Sequence, residues 1–161
     1  MSHSLPLPLY HYHPLCSFGF GLSFTAFTYT DLVISPSTLT PSDATFTVTA
    51  LLTRTAADPP HIAALPSDEV VQLYGSSGAP ATGAASPPLQ QLLGFQRLQG
   101  LGSGEARAVN FTLPRSALQL LQPEGGMAVQ QGTWVLTLGG GGPSSPQYGG
   151  GAVLSGPLVV Q

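Results

Sequence analysis

Thr45-Phe46-Thr47-Val48-Thr49-Ala50 decides the fold. Every second residue is apolar, and the residues between are threonines. Successive side chains on an extended strand point to opposite sides, so Phe46, Val48 and Ala50 share one face and the threonines the other. A helical winding would scatter the same residues around its axis. β-Branched and aromatic residues also suit a pleated, half-buried surface. The segment therefore reads as a strand with one face on a core and the other in water.

The same period recurs on both sides of it. Val109, Phe111 and Leu113 alternate with polar or small neighbours, and Trp134, Leu136 and Leu138 repeat the pattern. Strands are expected near 27–34, 44–52, 69–74, 92–98, 106–113, 127–131 and 133–138, with a last one near 152–160. About seven short strands in roughly a hundred residues predict an all-β, immunoglobulin-like sandwich. The one helical candidate, residues 114–121, opens on Pro114 and is stopped by Pro123, which leaves room for a single turn. Residues 53–67, 75–88 and 139–151 are Pro-, Gly- or Ser-rich. They read as loops, and their composition predicts flexibility rather than binding.

Bulk properties narrow the function. A chain of 161 residues suits one domain. With 42% hydrophobic and 7% charged residues it lacks the composition of a disordered chain. The net charge is −3, from four arginines, no lysine and seven acids. Nucleic-acid binding needs a basic face to displace counterions, and no stretch supplies one. There is no basic amphipathic helix for a membrane surface, and no uncharged apolar run near the ~18 residues that span a bilayer. Neither nucleic acid nor membrane is expected as a partner. Cys16 is the lone cysteine, so no internal disulfide forms. The first residues, Met1-Ser2-His3-Ser4-Leu5-Pro6, lack the basic start of a signal peptide.

Read in order, five stretches resemble the C-terminal fibronectin type III-like domain of family 3 glycoside hydrolases, the β-glucosidases and β-xylosidases. They are Phe18-Gly19-Phe20-Gly21-Leu22-Ser23-Phe24-Thr25-Ala26-Phe27, then Asp68-Glu69-Val70-Val71-Gln72-Leu73-Tyr74, then Gln91-Leu92-Leu93-Gly94-Phe95-Gln96-Arg97-Leu98. The fourth is Leu101 to Leu113, with Gly104-Glu105 and Val109-Asn110-Phe111, and the fifth is Gly132-Thr133-Trp134-Val135-Leu136-Thr137-Leu138-Gly139. The chain departs from the pattern at Cys16-Ser17, before the first stretch, and in the longer run from Thr53 to Ser67. The resemblance implies a sandwich over 27–140, most recognisable over 68–140. Residues 1–26 would be a remnant linker from a missing preceding α/β domain, and 141–161 a Gly/Pro-rich C-terminal extension. It implies a non-catalytic accessory domain whose partners are the catalytic domains of a parent enzyme acting on β-linked glucosides or xylosides. The location would be extracellular or cell wall if that parent is secreted. The competing expectation is a free-standing module that binds a polysaccharide or a protein, because sandwiches host many roles.

No catalytic constellation is expected on this chain. Glycoside hydrolysis needs two carboxyl groups facing one sugar. Asp68 and Glu69 are adjacent on a strand, so they point to opposite faces, and Asp31, Asp43, Asp58, Glu105 and Glu124 stand singly. The resemblance places the family's nucleophile and acid/base in other domains. His11, His13 and Cys16 are zinc-ligand types, but a closed site wants four ligands and no second cluster follows, so they read as a solvated tail. No cofactor or metal is assigned. Gly100-Leu101-Gly102-Ser103-Gly104 is followed by a strand rather than a helix, so it reads as a hairpin-like turn and not a phosphate loop. His61 reads as a solvated loop residue, and no Gly-x-Ser-x-Gly elbow accompanies it. Asn110-Phe111-Thr112 is an N-glycosylation sequon whose Asn110 should face water. Of the two aromatics that could stack on a sugar, Trp134 reads as core, and Tyr74, at a strand end, as the more exposed.

Overall fold

On β3 (Thr45–Arg54) the inward phase predicted for Phe46, Val48 and Ala50 holds and continues through Leu52 to Arg54, all of them buried. In the computed structural model, residues 23–56, 58–78, 90–122, 125–141 and 153–161 are described. The remaining strands are β1 (Phe27–Ser35), β2 (Thr38–Leu39), β4 (Ser67–Ser77), β5 (Gln91–Leu101), β6 (Ala106–Pro114), β7 (Gln119–Leu121), β8 (Met127–Val129), β9 (Gly132–Gly139) and β10 (Leu154–Val160). A short helix α1 (Pro60–Ala63) and one 3-10 turn, Arg115–Leu118, complete the described elements. The turn occupies the place where a single helical turn was expected.

Two sheets face each other. One has three strands in the order β1-β3-β6, the other five in the order β2-β10-β9-β4-β5, and β7 and β8 form a separate hairpin. Pairing is antiparallel except between β2 and β10. The registers align the inward residues: Val48 opposes Phe111 and Ala50 opposes Val109, while Leu73 opposes Leu138 and Leu158 opposes Trp134. Between the sheets these side chains form one apolar core with Phe46, Leu52, Val71 and Leu136. Trp134 lies fully inside it, and its indole N–H donates to the Gln130 carbonyl at 2.9 Å, so the ring's polar edge is satisfied.

Strand β1 keeps its inward phase by means of a bulge. Phe27 and Tyr29 point inward, and then the register shifts between Thr30 and Val33, so that Leu32 and Ile34 pack on the core. Asp31 sits in the bulge at φ +56°, a left-handed conformation that aspartate tolerates better than most residues. An extra residue here moves the apolar set from odd to even positions without turning the strand over.

Four expectations change. Strand β10 forms where the last strand is expected near 152–160, but it pairs along its length with β9, so 154–160 belong to the sandwich and not to an extension beyond it. Strand β4 runs on to Ser77, which puts Tyr74 in mid-strand; it is buried, and its hydroxyl donates to Gln72 Oε1 at 2.6 Å. The glycine-rich turn at 100–104 joins β5 and β6, which lie in different sheets, so it is a crossing between layers and not a hairpin. Residues 53–67, read as a flexible loop, contain the end of β3, helix α1 and a braced turn described below. Residues 1–22, with His11, His13, Cys16 and the first family-like stretch up to Leu22, lie outside the described residues, as do 79–89 and 142–152 of the other two loops.

Candidate functional site

The carboxylates are the natural place to look for chemistry, and those described are committed to the architecture. Asp68 is exposed and accepts from Arg97 Nη2 at 2.6 Å, from Arg97 Nε at 3.0 Å and from the Gly100 backbone N–H at 2.8 Å. The Gly100 N–H first, and then the arginine, hold its carboxyl below the usual aspartate range. Glu105 pairs with Arg107 and accepts from the Gly102 N–H at 2.8 Å; that N–H and then Arg107 lower its pKa. Asp43 caps the turn after β2, accepting from the Thr40 hydroxyl at 2.6 Å and the Thr40 N–H at 2.7 Å, and both lower its pKa. Asp31 accepts from the Thr30 hydroxyl at 2.9 Å.

Glu69 points the other way from Asp68, as strand geometry demands. It is half-buried at the end of the interlayer space and accepts from Tyr29 Oη of the opposite sheet at 2.7 Å. Burial raises its carboxyl above the ordinary 4.5, against the smaller lowering effect of the tyrosine. Burial, and then the neighbouring carboxylate, raise the Tyr29 phenol. A methyl group on Gly140 would collide with the Glu69 carboxylate, so the backbone at 140 closes the third side. The pair is a clasp between layers, and among the described residues no second carboxylate hydrogen-bonds beside it.

The strongest polar hub was missed by reading the sequence. Arg54 is fully buried at the end of β3. Its Nε and Nη2 hold Asp58 Oδ2 at 3.0 and 2.9 Å. Nη1 donates to the Leu65 carbonyl at 2.6 Å and the Leu101 carbonyl at 2.8 Å, and Nη2 to the Ile62 carbonyl at 3.0 Å. One guanidinium thus ties the 55–66 turn to itself and to the end of β5. The fork of arginine donors suits such a convergence of acceptors. A signal existed: the inward phase of Phe46, Val48, Ala50 and Leu52 continues to Arg54, and Asp58 follows four residues on.

Above that hub lies an open cleft of about 320 Å³, walled by Phe24, Thr25, Ile62, Leu65, Pro66 and Ser67. Phe24 is 87% exposed and Leu65 60%. The Thr25 and Ser67 hydroxyls meet at 2.8 Å, and the Thr55 N–H donates to the Ala26 carbonyl at 2.8 Å, so the approach to β1 is fixed against the same turn. The exposed His61 stands on α1. Among the described residues no group of three or more His, Cys, Asp or Glu could hold a metal, and no helix is long and apolar enough to cross a membrane. Each of the four arginines holds a carboxylate or a backbone carbonyl. Asn110 is exposed on β6, and Phe95 is 69% exposed on the outer face of β5.

Two layers with this strand order, closed over one core, define a fibronectin type III-like sandwich, and the model of the fibronectin type III-like domain matches residues 69–141. The chain is 32% identical over 126 residues to a β-xylosidase of Formosa agariphila, covering 78% of this chain and 16% of that protein. It is 32% identical over 106 residues to the periplasmic β-glucosidase of Salmonella typhimurium, covering 66% of this chain and 12% of that one. It superposes on β-glucosidase 3B of Thermotoga neapolitana with a TM-score of 0.69 at 25% identity, covering 92% of this chain and 18% of that structure. Its sandwich is the fibronectin type III-like domain that family 3 glycoside hydrolases carry. The chain spans only 12–18% of the length of these relatives.

Proposed function

We propose that the chain serves a parent glycosidase, acting on β-linked glucosides or xylosides, as a packing element and not as a source of catalytic groups. The observation that carries this reading is the braced apolar cleft. Exposed Phe24 and Leu65 stand where the chain enters β1, and Arg54 fixes the turn beneath them. A rigid, uncharged, concave surface at that position suits the face of a neighbouring catalytic domain. The commitment of Asp43, Asp58, Asp68, Glu69 and Glu105 to structural partners supports the non-catalytic part.

The whole chain, assayed on aryl β-glucosides and β-xylosides, should give no turnover; clear hydrolysis would overturn the reading. Mixed with the catalytic remainder of its parent, it should bind, and Phe24→Ser with Leu65→Ser should weaken that binding. Phe95 and its neighbour Leu92, 46% exposed on the same strand, favour a second reading as a glycan-binding module. Flat titrations against cell-wall polysaccharides, with Phe95→Ala as the control, would dismiss it.

A further inference from the structure

We propose that Asn110 is an N-glycosylation site whose oligosaccharide covers the outer face of the three-stranded sheet. Asn110 is the only asparagine in the chain, and it heads the triplet Asn110-Phe111-Thr112. Transfer of a glycan requires the carboxamide and the hydroxyl two residues on to be presented together. Residues i and i+2 of a strand share a face. Asn110 and Thr112 are accordingly both exposed, and Phe111 between them is buried in the core. Among the described residues nothing hydrogen-bonds the Asn110 side chain. Its partners across the ladder are small: Asn110 opposes Thr49, and Thr112 opposes Thr47.

The surroundings explain what a glycan would do there. The outward residues in register on this face include Thr28, Thr47, Thr49, Thr53, Ala108 and Thr112, and none of those paired in the two ladders is charged. Soluble proteins ordinarily carry roughly a quarter to a third charged residues on their surface. Among the described residues strand β6 is also an edge of its sheet. Such an edge is a template for pairing with another chain unless something blocks it. No lysine, proline or inward charge guards the middle of β6, from Ala108 to Thr112. A hydrated oligosaccharide on Asn110 would supply both the missing hydrophilicity and the block.

The step is redox-neutral. The Asn110 side-chain nitrogen attacks the anomeric carbon of a lipid-pyrophosphate-linked oligosaccharide. A C–N bond forms, the C–O bond to pyrophosphate breaks, the lipid pyrophosphate leaves with the electron pair, and the amide proton passes to a base.

The test expresses the full chain behind a secretory leader in a eukaryotic host. Asn110→Gln, Thr112→Ala and the sequon-preserving Thr112→Ser are made alongside it. Wild type and Thr112→Ser should gain the mass of one oligosaccharide, lose it to peptide N-glycosidase, and show Asp at position 110 after release. Asn110→Gln and Thr112→Ala should show no added mass. Wild-type chain that is secreted and folded, or protected inside microsomes, yet carries a free Asn110 would overturn the proposal. Added mass retained by Asn110→Gln would overturn it equally.

Discussion

The space between the sheets and the largely exposed turn over residues 55–66 are both held in place, but by opposite means. Between the sheets, apolar side chains from alternate positions meet without direction, and many small losses of water-exposed area add up. Beneath the turn, one guanidinium collects a carboxylate and three carbonyls, each at a fixed distance and angle. The first kind of order tolerates a change of shape better than a loss of volume. The second tolerates neither, because removing the arginine leaves several buried acceptors without partners. An apolar interior can be built from a repeating rule, whereas the polar brace depends on one residue in one place.

Arg54→Ala tests that contrast most severely. It strands Asp58 and the Ile62, Leu65 and Leu101 carbonyls, and should cost about 3–5 kcal/mol in denaturant melts. Amide exchange over 55–66 should accelerate more than in the sheets. A loss under about 1 kcal/mol would mean that the turn holds itself without the brace. Leu136→Ala, in the centre of the apolar layer, should cost about 2–5 kcal/mol, with exchange raised across both sheets and no special effect on the turn.

Smaller effects refine the picture at the edges. Glu69 titrates above 4.5 in the folded protein, so the fold binds that proton more tightly than the unfolded chain does. Its contribution therefore declines as pH rises from the ordinary value through the raised one. The lowered carboxyls of Asp43, Asp68 and Glu105 act oppositely: their contribution is present above the ordinary carboxylate range and is lost as pH falls through their folded values. Glu69→Gln keeps an acceptor for Tyr29 and should flatten the decline in melting temperature as pH rises above 4.5, leaving the acid limb in place. An unchanged decline would show that Glu69 is solvated and its clasp loose. Phe24→Ser should change stability by less than about 0.5 kcal/mol, since the ring is already in water. A larger loss would place Phe24 in the sandwich's own packing and remove it from the proposed contact surface.

Alternation made most of the sandwich legible, because period-2 burial is written directly into residue order. Phe46, Phe111 and Trp134 are buried where that pattern places them. Tyr74 was misplaced because β4 is covered on both faces from Val71 to Gly75, and alternation carries no information where both sides are dry. The Arg54 hub was legible in phase but not in kind: the inward position was readable, while its acceptors are carbonyls whose placement depends on the turn closing. The strand over 154–160 was legible although Gly156 and Pro157 are both poor strand formers; its place beside β9 was not. Pro157 is tolerated opposite Val135 in the β10 ladder. The cleft joins residues about forty positions apart, such as Thr25 and Ser67, and no local pattern announces such a meeting.

Arg54 also makes the ledge a joint property of the two layers. Its guanidinium reads the Leu101 carbonyl at the tip of one layer from the last residue of a strand in the other. The ledge bearing Ile62 and Leu65 is thus fastened to both layers through one side chain. Any shift of one layer against the other would therefore be felt at the ledge, which reports how the sandwich beneath it is closed.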